Sequence, residues 1–269
     1  MADGVTYNLV VHNMTTGDEK LYSRPGLRGG PARWFGSNTE FLQLLATVPL
    51  ANQTSQFARS FYSVNLPNGV VREVVAESTR SGVAALSPDG KTLYQFARDP
   101  QRLETFTRLV AVDLATAQER TVLTLDGTPD TLPRGAGVAL AVSPDGKTLA
   151  VATQKGKPSD VYLSRVGIDG TQSRELFGPF TASAVNDRLA WTRDGRSILF
   201  AMTDDDWPAW KIMRIGAEGG SPEFTGVRAN SLGPFSVSPD GTRIAFTSVG
   251  ANESELWAID VSWVWAGKR

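Results

Sequence analysis

The chain has 269 residues, 41% of them hydrophobic and 20% charged, with 27 Lys and Arg against 28 Asp and Glu. A formal net charge of -1 supplies no global pull toward nucleic acid or an anionic membrane. The absence of cysteine excludes disulfides, thiolate nucleophiles and thiolate metal sites together.

Met1 to Val11 lacks a basic stretch followed by an apolar run, so no signal peptide is visible in this chain. No apolar stretch approaches the ~20 residues of a membrane-spanning helix. The expected setting is soluble, cytoplasmic or periplasmic. The first predicted strand, Tyr7 to Asn13, resembles an outer strand of a repeat unit, so 1–24 is expected to be a partial unit. Arg24 to Pro31 is basic and glycine-rich, but it lacks the Lys-Ser/Thr of a phosphate loop and opens no helix, which suits a linker.

A tetrapeptide then recurs: Ser87-Pro88-Asp89-Gly90, Ser143-Pro144-Asp145-Gly146 and Ser238-Pro239-Asp240-Gly241, with a degenerate copy at Thr192-Arg193-Asp194-Gly195 and an eroded one at Phe35-Gly36-Ser37-Asn38. The copies stand about 50 residues apart, the period of a propeller blade. Proline presets φ for the second position of a type I turn, aspartate bonds backbone close by, and glycine accepts positive φ. The structural-turn set is therefore Pro88, Asp89, Gly90, Pro144, Asp145, Gly146, Asp194, Gly195, Pro239, Asp240 and Gly241. Short apolar runs precede each turn, as in Val138 to Val142, and β-branched or aromatic runs follow, as in Ser197 to Ala201. Both have the pattern of half-buried strands.

Third and fourth strands follow in each unit, for example Val161 to Gly167 then Ser173 to Phe177, and Lys211 to Ile215 then Pro222 to Thr225. Asn68-Gly69, Asp169-Gly170 and Gly219-Gly220 supply hairpin dipeptides between them. Each unit is thus a four-stranded antiparallel meander that buries its faces only against neighbours. The expected fold is an all-β propeller over 1–269, with blades at 31–78, 82–125, 137–177, 188–226 and 233–265. Five full blades plus the partial sixth make a six-bladed type left incomplete within this chain. Strand-seeking by the partial blade makes self-association an expectation.

The unit Ser-Pro-Asp-Gly-Lys/Thr-x-apolar, best seen at Ser143 to Ala150 and Ser238 to Phe246, with Glu255 to Asp260 as its third strand, resembles the TolB-type WD40-like (PD40) β-propeller repeat. The resemblance covers about Tyr7 to Asp260. It implies a fold shared by periplasmic TolB, by non-catalytic domains of prolyl-oligopeptidase-like peptidases and by sensor-like domains of bacterial kinases and transcriptional regulators. The order of elements resembles the C-terminal propeller of large bacterial regulators.

Residues that carry chemistry are few. His12 is the only histidine, so a His-based metal cluster has no basis, and no Gly-x-Ser-x-Gly elbow accompanies it. No cofactor, metal site or catalytic residue is assigned. Asp204, Asp205 and Asp206, followed by Trp207 and Trp210, form the densest acidic and aromatic cluster, although their spacing does not match an EF-hand. With Arg98 they are the candidate ligand-binding residues, placed on expected loops between second and third strands at 98–107, 155–160, 203–208 and 250–253. Trp257 is expected to be buried in a third strand. Trp263 and Trp265 share one face if extended and suit a cap, an interface or a binding patch.

These readings lead to a non-catalytic binding or sensing module. Its partner is a protein, a peptide or a small molecule at one end of the channel, with no nucleic acid and no membrane span. The alternatives are a hydrolase or lyase using carboxylates in the channel, and a structural spacer of a larger bacterial regulator.

Overall fold

The computed structural model describes residues 8–12, 16–23, 32–35, 37–49, 57–65, 68, 70–78, 83–99, 102–125, 139–155, 157, 160–181, 188–203, 209–238, 240–249 and 254–261. All regular structure among them is β-strand, and no helix is long and apolar enough to cross a membrane. The chain divides into two compact units, one of residues 1–82 with 114–117 and the other of 83–113 with 118–269.

In the first unit, β1 (Asn8–His12) pairs with β2 (Glu19–Ser23) as a two-stranded antiparallel sheet. A four-stranded sheet follows in the order β3 (Ala32–Phe35), β4 (Ser37–Pro49), β5 (Phe57–Asn65) and β6 (Val71–Ser78). Phe35 pairs with Ser37, and the register shifts between Trp34 and Phe35.

The second unit repeats one meander. Its first blade is β7 (Ala84–Leu86), β8 (Thr92–Asp99), β9 (Arg102–Asp113) and β10 (Glu119–Thr124). The next is β11 (Ala139–Val142), β12 (Thr148–Gln154), β13 (Asp160–Gly167) and β14 (Arg174–Thr181). Then come β15 (Leu189–Trp191), β16 (Ser197–Thr203), β17 (Trp210–Gly216) and β18 (Glu223–Ala229). The last described sheet has three strands: β19 (Phe235–Val237), β20 (Arg243–Val249) and β21 (Ser254–Asp260). The fourth strand expected beyond it, with Trp263 and Trp265, lies outside the described residues. The short first strands β7, β11, β15 and β19 neighbour one another in succession. Meanders stacked through their first strands are the blades of a β-propeller.

Burial explains why the second strands are apolar without alternation. β12 is buried from Leu149 to Thr153 because its two faces serve two cores. Leu149 and Val151 pack with Tyr94, Phe96, Phe106 and Leu109 of the preceding blade. Ala150 and Ala152 pack in the cluster containing Ile198, Phe200 and Ile212 of the following one. Successive side chains of a strand point to opposite faces, so a strand sandwiched between blades is apolar at every position. In the next interface, Phe177, Phe180 and Phe200 meet with ring centroids 5.0–5.7 Å apart. The outer strands are less covered, and in β10 the consecutive residues Glu119 to Thr121 are exposed on both faces.

Two expectations are corrected here. The expected loop 98–107 is mostly strand, because β8 runs on to Asp99 and β9 begins at Arg102, with Asp99 opposite Arg102. Leu103, Phe106 and the threonines 105 and 107 suit an extended chain, and fully buried Phe106 anchors it on Phe96 at 6.1 Å. Trp257 is paired opposite Phe246 in β21, yet it is 48% exposed. It lies on the last strand of the three-stranded sheet, so a third-strand position does not bring burial there.

Candidate functional site

The repeated turns are built around a hydroxyl. Ser87, Ser143, Thr192 and Ser238 each donate to the aspartate two residues on, at 2.6, 2.6, 2.6 and 2.5 Å. Each also accepts from the backbone N–H five residues on, at 2.9, 3.0, 3.0 and 2.9 Å. The aspartate accepts a second bond from the N–H two residues beyond itself, at 3.1, 3.1, 3.0 and 2.9 Å. Gly90, Gly146, Gly195 and Gly241 close the turns with φ of 70, 72, 67 and 74°. Turn propensity alone gives the hydroxyl no role, although all four copies in the second unit carry Ser or Thr at that position.

These bonds favour the ionised carboxylate. The Ser87 hydroxyl, with the Lys91 N–H, holds Asp89 below its ordinary value, and Ser143 with the Lys147 N–H does the same for Asp145. Asp240, bonded by Ser238 and twice by Thr242, lies far below the carboxylate range. At Asp194, burial pushes the pKa up, but Thr192, the Arg196 N–H and the charges of Arg196 and Arg214 outweigh it, and the net shift is downward.

The turns also interlock along the second unit. A Cβ built on Gly146 would meet the Pro88 ring at 3.4 Å, one on Gly195 would meet Pro144 at 3.8 Å, and one on Gly241 would meet Cβ of Arg193 at 3.5 Å. Each glycine therefore seats against the second residue of the preceding turn.

Two clefts open on this turn-bearing end, on either side of the 192–195 turn. One, of about 490 Å³, has Ser143, Asp145, Arg165, Arg193, Asp194 and Glu218 in its wall. The other, of about 350 Å³, is lined by Thr192, Arg193, Asp194, Arg214, Asp240 and Gly241. Arg193 borders both. Arg165 donates to the Ala217 carbonyl at 3.4 Å and pairs with Glu218. Arg214 is anchored from behind by its Nε, which donates to the buried Ser197 hydroxyl at 3.0 Å. Trp191 also lines the larger of the two clefts and donates from Nε1 to the Ala141 carbonyl at 3.1 Å.

Of the residues expected to bind ligand, Asp204, Asp205, Asp206 and Trp207 lie outside the described residues. Arg98 is on β8, paired in the region of a register shift opposite Phe106. Trp210 begins β17, is 6% exposed, and has the Arg188 guanidinium 4.2 Å above its ring. Arg98 and Trp210 stand toward the opposite ends of their blades from the repeated turns, as the pairing of Trp210 with Thr203 shows. Among the described residues, no three His, Asp or Glu side chains stand together as metal ligands would.

The solved structures that resemble this chain share its fold at low identity. TolB from Acinetobacter baumannii superposes with a TM-score of 0.67 at 16% identity over 94% of this chain and 60% of its own length. An oligogalacturonate lyase in complex with manganese gives 0.63 at 18% identity, over 98% of this chain and 75% of the lyase. The β-propeller domain of the Trilobed protease from Pyrococcus furiosus, described as having an open velcro topology, gives 0.53 at 16%, over 90% of this chain and 69% of that domain. The chain thus spans less than two thirds of the TolB structure it matches. No family model and no curated protein matches the sequence.

Proposed function

We propose that this TolB-type propeller is a non-catalytic binding module whose ligand, a protein segment, a peptide or a small molecule, seats at the turn-bearing end of the second unit. The observation that carries the reading is the pair of adjoining clefts around the 192–195 turn, lined by Arg165, Arg193 and Arg214. The carboxylates nearby support binding rather than turnover. Asp145, Asp194 and Asp240 are held ionised by their own turns, and a general acid needs a raised pKa. A cleft of a few hundred cubic ångströms with convergent polar groups on a rigid sheet scaffold is the usual form of a binding site.

The test is a thermal-shift screen of the purified chain against peptide and small-molecule libraries, with the bound compound recovered and weighed by mass spectrometry. The expected result is a saturable rise in Tm with the ligand recovered unchanged, and loss of the rise in Arg214→Ala. Recovery of a cleaved ligand, including a peptide or a polyuronide, would overturn the reading in favour of an enzyme. A rise that survives Arg214→Ala and disappears when Asp204, Asp205 and Asp206 are all changed to Ala would move the site to the other end of the blades.

A further inference from the structure

In a repeat protein, positions that every unit shares are explained by the fold, and positions where one unit departs from its siblings are not. The four turns of the second unit use proline at the second position three times, at 88, 144 and 239, and arginine once, at 193. The register identifies a second departure. Ala111, Arg165, Arg214 and Ala258 occupy equivalent third-strand positions, opposite Tyr94, Ala150, Leu199 and Ala245, each seven residues beyond its turn's first residue. Alanine serves the fold in two blades, and arginine replaces it in the blade that carries the 192–195 turn and in the one before it.

The three departures converge on the two clefts, with Arg165 and Arg193 in one and Arg193 and Arg214 in the other. The aspartates in the walls recur in all four turns of the second unit and already accept bonds from their own turns, so the turns account for them. Arg165 has a structural counterpart: in the preceding interface Arg120 donates to the Ile168 carbonyl, as Arg165 does to Ala217. Arg214 is held within its own blade by the Ser197 hydroxyl, beside Asp194.

Resting on the binding reading above, we propose that the clefts beside the 192–195 turn recognise carboxylate groups of the ligand, one seated against Arg193 and Arg214 and a second within reach of Arg165. A guanidinium fork matches a carboxylate in a bidentate geometry. The ring of pinned aspartates keeps the clefts close to neutral overall. This balance suits singly charged carboxylates and opposes nucleic acid, whose dense phosphates need a strongly basic surface.

The experiment uses the whole chain and fluorescence anisotropy of labelled hexaglutamate, hexaglutamine and hexalysine peptides, with calorimetry of succinate and glutarate as small dicarboxylates. The variants are Arg193→Pro and Arg214→Ala, which install the residues that sibling blades carry and so preserve the fold, and Arg228→Ala on β18 as a control. Tm is measured for each. The expected result is binding of hexaglutamate or of the dicarboxylates, weakened by added salt, reduced about tenfold or more by either variant and unchanged by Arg228→Ala. Binding of the peptide alone identifies a protein ligand, and binding of the dicarboxylates alone identifies a small acid. Equal binding of hexaglutamine, or affinity unchanged in both variants, overturns carboxylate recognition while leaving the binding module intact. Failure of every carboxylate probe to bind at millimolar concentration overturns it as well. The binding reading itself then stands or falls on the thermal-shift screen.

Discussion

A Cβ placed on Gly170 would stand 2.1 Å from the carbonyl oxygen of Val122, so the hairpin joining β13 to β14 lies directly on the backbone of β10 in the preceding blade. Gly170 also has φ of +86°, where side chains are strained. Gly195 has a similar φ of +67°, but its nearest prospective neighbour is Pro144 at 3.8 Å. Gly170→Ala is therefore expected to destabilise by about 3 kcal/mol or more, and Gly195→Ala by only about 1–2 kcal/mol, the cost of left-handed alanine. Urea midpoints of the two variants check the ordering, and equal losses would show that φ alone matters.

The turn aspartates predict an acid-sensitive fold. Each has a folded pKa below its ordinary value of 3.8, so its contribution is complete above that value and is lost as pH falls through the lower folded pKa. Tm is expected to be flat near neutrality and to fall below about pH 4. Asp145→Asn and Asp240→Asn are expected to lower Tm at pH 7 and to shrink the drop between pH 5 and pH 2.5. A variant with the same acid slope as the parent would mean that the turn bonds do not depend on ionisation.

Arg193→Pro is expected to raise stability by about 0.4–1 kcal/mol, since proline restricts the unfolded chain and the turn already uses it at 88, 144 and 239. The denaturant midpoint gives the answer. A loss would show that the 192–195 turn departs from the geometry of its siblings.

Phe200 is fully buried, and its ring lies 5.0 Å from Phe180 and 5.7 Å from Phe177. Phe200→Ala opens a cavity between two blades and is expected to cost about 3–5 kcal/mol, whereas Phe200→Leu costs less. Thermal unfolding of both variants measures the difference.

How much of this was readable beforehand follows from where each signal resides. The blades were legible because their turns recur as Ser-Pro-Asp-Gly, and the apolar runs on either side of Asp145 or Asp240 have strand character by themselves. The hydroxyl of Ser143 was equally repetitive, but its double role as donor and acceptor emerges only once the Thr148 N–H is brought back beside it. The exposure of Trp257 is not legible in the sequence because burial depends on what covers a strand, and the sequence of β21 carries no record of that. Arg165 and Arg214 were invisible because loops of unequal length separate second from third strands. Counting along the chain does not align them with Ala111 and Ala258, and only the hydrogen-bonded register does. Between Arg98 and Thr107 the polar and charged residues have the composition of a loop, yet pairing with β8 carries most of the chain through as strand.

The seating of each turn glycine on the second residue of the preceding turn couples neighbouring blades through that one position. What stands at 193 is felt by Gly241 through a Cβ, an atom that proline and arginine have in common. At 88 and 144 the proline ring itself makes the contact, so those positions are tied to the packing of the next blade. Position 193 is therefore where a blade can change the chemistry it displays while the glycine of the next keeps the same neighbouring atom.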